Sequence, residues 1–143
     1  MKKAMKCYLI EDDEDDQELF QTALEEVAST TECVVSMSAD RALRALRKMD
    51  VLPDFIFLDL NLPGMNGFQF LQEIKQDSYL RGVPVIIHST TTEKSEILKC
   101  KALGADGFFT KSSRYEEICK MLRRFFVNGD GNGSGNGNGN GND

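Results

Sequence analysis

The sequence predicts an α/β protein built on a parallel sheet with helices on both faces. Two observations predict it. Short apolar runs and segments of helical spacing alternate five times along the chain. The apolar runs are almost continuous rather than alternating, the pattern of strands covered on both faces. The length of 143 residues suits one domain, and a chain of that size buries roughly two-thirds of its unfolded surface.

The elements follow in order. Residues 4–10, "AMKCYLI", form a short apolar run that reads as the first strand. From Asp13 to about Ala28, Leu19, Phe20, Ala23, Leu24 and Val27 recur at helical spacing. Residues 33–37, "CVVSM", contain adjacent β-branched residues and read as the second strand. Asp40 is the expected cap of a helix carrying Ala42, Leu43, Leu46 and Met49, with Pro53 as its stop. Residues 55–59, "FIFLD", are the third strand, and Phe68, Leu71 and Ile74 mark the third helix. The fourth strand is expected at 83–88, "VPVIIH". A helix carrying Ile97, Leu98, Ala102 and Leu103 follows, with Gly104 suited to its C-terminal cap. Residues 107–110, "GFFT", are the fifth strand, and Tyr115, Ile118, Leu122, Phe125 and Phe126 mark the last helix. The domain is expected over residues 1–128. Residues 129–143, "GDGNGSGNGNGNGND", contain no apolar side chain and cannot offset the entropy of ordering, so a disordered Gly/Asn-rich tail is expected there.

Charge and cysteine usage exclude several function classes. The net charge of −6 argues against binding to nucleic acid or to an anionic membrane surface, both of which need a basic face. The apolar run after "MKKAMK" is too short for a signal-peptide core, and no stretch approaches transmembrane length, so a cytoplasmic location is expected. Cys7, Cys33, Cys100 and Cys119 are far apart and form no metal-binding spacing. Buried or incidental thiols are the expected reading, with Cys7 inside the first strand.

In open α/β sheets, ligands bind beyond the carboxyl ends of the strands. The residues expected there are Glu11, Asp12 and Asp13 after the first strand, Asp59 and Asn61 at the third, Ser89, Thr90 and Thr91 at the fourth, and Thr110 and Lys111 at the fifth. Crowded carboxylates repel, and a divalent cation resolves the repulsion. Few protein oxygens with positions left for water and phosphate suit Mg²⁺ better than Ca²⁺. Beside such a metal Asp59 suits a nucleophile toward phosphorus, with Lys111 and Ser89 holding the phosphoryl oxygens.

The motifs "LIEDDED", "FLDLNLPGMNG", "PVIIHST" and "GADGFFTK", in this order at these strand ends, resemble a response-regulator receiver domain of two-component signalling, of the single-domain, chemotaxis-regulator type, from about Lys3 to Val127. The resemblance implies a flavodoxin-like, doubly wound five-stranded sheet of order 2-1-3-4-5 with five helices. It implies Asp59 as phospho-acceptor, and Asp12, Asp59 and the backbone carbonyl of Asn61 as Mg²⁺ ligands, with Glu11 acting through water. It implies Lys111 and Ser89 as contacts of the phosphoryl group and Phe108 as the aromatic switch. It also implies a histidine kinase or a histidine phosphotransfer protein as donor and a further protein as the downstream partner. Three positions depart from the family pattern. Ser112 follows the lysine where the family carries a proline in a cis peptide, which leaves that bond's geometry open. Phe108 lacks a hydroxyl, and His88 stands where an apolar residue is usual.

Other readings compete for the same residues. Asp15 and Asp16 read as a solvated helix start, since acids favour helix N-termini. Asp13 reads as a helix cap, with a metal role left open. Ser89, Thr90 or Thr91 could simply cap the following helix, and His88, Met65, Phe125 and Phe126 read as packing residues. Among functions, the alternatives to a phosphorylation-controlled protein switch are a phosphorelay intermediate and a receiver-fold scaffold independent of phosphorylation. A haloacid-dehalogenase-type phosphatase needs a second Asp two residues after the nucleophile. Asn61 cannot protonate a leaving group, so a non-enzyme is expected beyond the chemistry of Asp59 itself.

Overall fold

The apolar runs pair into one sheet in which all strand pairs are parallel, in the order β2-β1-β3-β4-β5. The computed structural model describes residues 5–128; the tail expected at 129–143 lies outside them. The elements are β1 (Lys6–Ile10), α1 (Glu14–Val27), β2 (Glu32–Ser36), α2 (Ala39–Arg47), β3 (Phe55–Leu58), α3 (Gly67–Gln76), β4 (Val85–Ser89), α4 (Lys94–Ala102), β5 (Gly107–Thr110) and α5 (Tyr115–Phe126). The fold is therefore the flavodoxin-like arrangement that the resemblance implied.

Side chains alternate across each strand and build two cores. Tyr8, Ile10, Ile56, Leu58, Val85 and Ile87 face one way, against Leu43, Leu46, Phe70, Leu71 and Ile74 of α2 and α3. Cys7, Leu9, Phe55, Phe57 and Ile86 face the other way, against Phe20 and Leu24 of α1 and Leu122, Phe125 and Phe126 of α5. Phe55 meets Phe125 and Phe126 edge-on at centroid distances of 5.4 and 5.2 Å, and Phe20 meets Phe57 at 5.0 Å. Edge-to-face pairs of this kind add about 0.5–1.5 kcal/mol each beyond area burial. The central strands β1, β3 and β4 are buried nearly throughout, while the edge strands β2 and β5 are only partly covered.

Local chemistry moves several boundaries from their expected places. Ser38, not Asp40, caps α2: its backbone is extended and its hydroxyl accepts from Arg41 N. The same hydroxyl donates to Asp40 Oδ1 at 2.9 Å, so the acid supports the cap from the first turn. The helix ends at Arg47, well before Pro53, because Lys48 N and Met49 N turn back to the carbonyls of Ala45 and Leu46. Strand β4 starts at Val85 rather than 83, because Val83 N closes a turn onto Leu80 O. At the end of α4, Gly104 has φ +101°. There Gly104 N donates to Lys101 O and Ala105 N to Cys100 O, the paired bonds of a Schellman cap. All four cysteines are free; Cys7, Cys100 and Cys119 are buried and Cys33 is half-buried. Among the described residues no helix is long and apolar enough to cross a membrane.

Candidate functional site

Register brings the strand ends together. Ile10 pairs with Leu58 and Ser89 with Thr110. Asp59 N donates to Ile10 O at 3.1 Å, so the chain leaves β3 beside the end of β1 and delivers Asp59 next to Glu11. Lys111 N donates to Ser89 O at 2.7 Å, which anchors Lys111 to the end of β4. Its ammonium then reaches across the edge. Nζ lies 2.7 Å from Glu11 Oε1, 2.8 Å from Asp16 Oδ2 and 3.3 Å from Asp59 Oδ2. Glu11 and Asp59 are only 3% and 6% exposed, so their contacts with Lys111 form largely out of water, whereas Asp16 is partly exposed. The peptide bond from Lys111 to Ser112 is trans, as are all bonds among the described residues.

The electrostatics follow from that burial. Burial, helped by the Asp59 charge, pushes the Glu11 carboxyl up to about 7 against the opposing pull of its bond to Lys111. Burial also disfavours the Lys111 ammonium, but the bonds to Asp16 and Glu11 and the charge of Asp59 outweigh it and raise its pKa. Carboxylate oxygens of Glu11, Asp12 and Asp59 lie within 4.8 Å of one another. Lys111 pairs with three carboxylates, Glu11, Asp16 and Asp59, and Asp12 stands beside two of them, so the edge keeps an excess of negative charge. A small hard cation with all-oxygen coordination fits that donor set. Asn61, exposed, belongs to the same loop and donates its N–H to Asp59 Oδ1 at 3.3 Å.

The remaining candidates fall on the two faces of β4 and on α1. Ser89 is fully buried, and its hydroxyl has no hydrogen-bond partner among the described residues. It is the last residue of β4 and α4 begins only at Lys94, so Ser89 is not a helix cap; Thr91 Oγ1 accepts from Glu93 N instead. By strand alternation Ser89 shares a face with Val85 and Ile87, whose core Phe108 also packs against while partly buried. His88 points the opposite way and is buried, 8% exposed, with its ring centroid 6.4 Å from that of Phe20. Burial and the nearby Lys111 charge lower its pKa to about 4. Asp13 is the cap of α1 and accepts from Asp16 N at 3.0 Å.

Asp16 is the residue at this edge that sequence reasoning missed. It is not a solvated helix start but a partner of Lys111 across 95 residues of chain. In the sequence it looks like any acid in a first turn, and only the fold brings its partner to it. A groove of about 580 Å³ opens beside this pair, lined by Asp16, Leu19, Thr22, Thr90, Lys111 and Ser112.

Comparison with known proteins meets this geometry from outside. A family model described as "Response regulator receiver domain" matches residues 7–123. Response regulator Rcp1 of Synechocystis sp. is 28% identical over 120 residues, covering 80% of this chain and 82% of that protein. Two-component response regulator ARR16 of Arabidopsis thaliana is 32% identical over 121 residues, covering 74% of each chain. The phosphorylated cyanobacterial phytochrome response regulator RcpA superposes with a TM-score of 0.80 at 30% identity, over 87% of this chain and 95% of that one.

Proposed function

The chain belongs to the response-regulator receiver family, and from that premise we propose that it accepts a phosphoryl group on Asp59 from a phosphohistidine donor and thereby switches a protein-binding face. The observation that carries the reading is the placement of Asp59. It is a buried carboxylate at a strand end, with the Lys111 ammonium 3.3 Å away and two further acids beside it. That is the arrangement a nucleophilic carboxylate needs: an acceptor oxygen, a fixed cation for the transferred group and acids to hold a metal.

Asp12, Asp59 and the Asn61 carbonyl are the proposed ligands of Mg²⁺, with Glu11 acting through water. When bound, the ion neutralises charge on the phosphoryl oxygens. In the transfer an Asp59 oxygen attacks phosphorus, the P–N bond to the donor imidazole breaks, and the histidine leaves on its own protein. The donor is a histidine kinase or a histidine phosphotransfer protein. Lys111 pairs with one phosphoryl oxygen. The Ser89 hydroxyl, unpartnered beforehand, moves to donate to another. That movement opens space on the face it shares with Phe108, and Phe108 swings inward to fill it by burial alone. The surface of α4, β5 and α5 changes shape, and the downstream protein reads it. The change is a shift between two packings, so the phosphoryl group need favour one of them by only a few kcal/mol. Asn61 supplies no acid for ester turnover, so Asp59 chemistry is the whole of the catalysis proposed.

The test is incubation with a small phosphodonor and Mg²⁺, followed by mapping of the modified residue. Modification on Asp59, absent in Asp59→Asn, is the expected result. Uptake by Asp59→Asn at the wild-type level overturns the reading.

A further inference from the structure

We propose that Asp16 is a positioning residue of this site: it holds the Lys111 ammonium on the α1 side, and a phosphoryl group on Asp59 must draw the ammonium away from it. The inference rests on the phospho-acceptor reading of Asp59. Of the three anions around Lys111 Nζ, Glu11 lies at 2.7 Å, Asp16 at 2.8 Å and Asp59 at 3.3 Å. The helix acid therefore has a shorter contact than the acceptor.

Asp16 is well placed to hold. Its backbone N–H is fixed by Asp13 Oδ1 in the first turn of α1. Its side chain is 40% exposed, against 4% for Glu11 and 7% for Asp59, so of the three it alone lies outside the buried edge, at the mouth of the groove. The neighbouring Asp15 lines the same groove but is fully on the exposed side and forms no ion pair with Lys111. Phosphorylation places a charge of about −1.5 to −2 on the transferred group. The ammonium must then be shared between that group and Asp16. Neutralising Asp16 releases the ammonium and removes repulsion of the incoming anion, and both effects favour the phosphorylated arrangement. A partly exposed ion pair is screened by water and salt, so the change amounts to about two- to fivefold in an equilibrium constant.

The experiment uses the full chain with saturating Mg²⁺ and titrates beryllofluoride, an anionic phosphoryl mimic, by fluorine NMR. Asp16→Asn is expected to lower the Kd by about two- to fivefold, Asp16→Glu to restore the wild-type value, and Asp15→Asn to leave it unchanged. A second readout needs neither metal nor mimic. The ammonium ¹⁵N resonance of Lys111, recorded at low temperature, should shift in Asp16→Asn and stay in place in Asp15→Asn. An unchanged or higher Kd for Asp16→Asn, or an unshifted ammonium resonance, overturns the inference. Failure of the wild type to bind beryllofluoride overturns the acceptor reading instead, and the ammonium resonance then still decides whether Asp16 holds Lys111.

Discussion

Gly67 is where a single methyl group should couple packing to the site. It is the first residue of α3, and its N–H donates to Leu60 O at 3.0 Å, which pulls the helix start against the loop that follows Asp59. A Cβ built there meets Leu60 Cα at 2.6 Å and Asp59 O at 2.8 Å. Ordinary contact begins at 3.4 Å, so the backbone must open by 0.8 Å, the difference between 3.4 and 2.6. Both obstructing atoms are main chain, and neither can rotate away. Overpacking of this kind costs about 1–3 kcal/mol. For a domain of this size each kcal/mol corresponds to roughly 4 °C, so Gly67→Ala should lose about 4–12 °C in thermal midpoint. The shift also carries Asp59 relative to Asp12 and Lys111, so Mg²⁺ should bind more weakly than to the wild type. The control is Gly82→Ala, where a Cβ meets nothing within 4 Å; it should change stability by less than about 0.5 kcal/mol. Thermal unfolding and a Mg²⁺ titration read both effects. A Gly67→Ala protein with wild-type midpoint and wild-type Mg²⁺ response would refute the reasoning.

Other perturbations test the site directly. The His88 pKa falls from 6.5 to about 4 on folding, so below pH 6.5 the unfolded chain takes up the proton first. The resulting contribution is complete above 6.5 and lost as the pH falls toward 4, by about 3 kcal/mol at most. Lys111, Asp16 and Asp59 are the charges facing the ring; His88→Leu should flatten that part of the acid-unfolding curve, and an unaltered slope speaks against it. Ser89→Ala removes a buried hydroxyl without a partner, so it should stabilise the unphosphorylated protein by up to about 1 kcal/mol. It should also weaken the amide NMR shifts that beryllofluoride induces around residues 94–120; a full wild-type shift pattern would contradict the switch assignment. Mg²⁺ at a hundredfold excess over its Kd should stabilise the wild type by about 2.7 kcal/mol, and an equal rise in Asp12→Ala would remove Asp12 from the ligand set.

The parts of the molecule legible in the sequence are those set by local pattern. All five strands and five helices were visible, because apolar continuity and helical spacing are properties of short windows. Boundaries slipped where a side chain chose between two backbone partners. Ser38 and Asp40 are equally plausible caps on paper, and the cooperation between them shows only in three dimensions. Asp59, Glu11 and Lys111 were legible because each ends a strand, and strand ends share one edge. Asp16 belongs to a helix, and its meaning depends on how α1 lies over the end of β5, which no window of sequence contains. The burial of His88 was likewise decided by tertiary packing, whereas the trans bond after Lys111 is the ordinary preference of a peptide not followed by proline.

The reach of Lys111 has a consequence in time as well as in space. Its contacts with Asp16 and Asp59 span 95 and 52 residues, and Tyr115 of α5 reaches Glu26 of α1 across 89. Closing a loop of the longest span costs about 4 kcal/mol in chain entropy beyond a fixed term, and contacts so distant in sequence form late and slow folding. β1 and β3 precede β5 in the chain, so any partly formed sheet that holds them without β5 brings the acids at their ends together without their lysine. Only when the last strand joins the sheet does the edge acquire its own cation. In any excursion that detaches β5 and α5, the acids are left unbalanced again, so loss of the site and loosening of the C-terminal unit are the same event.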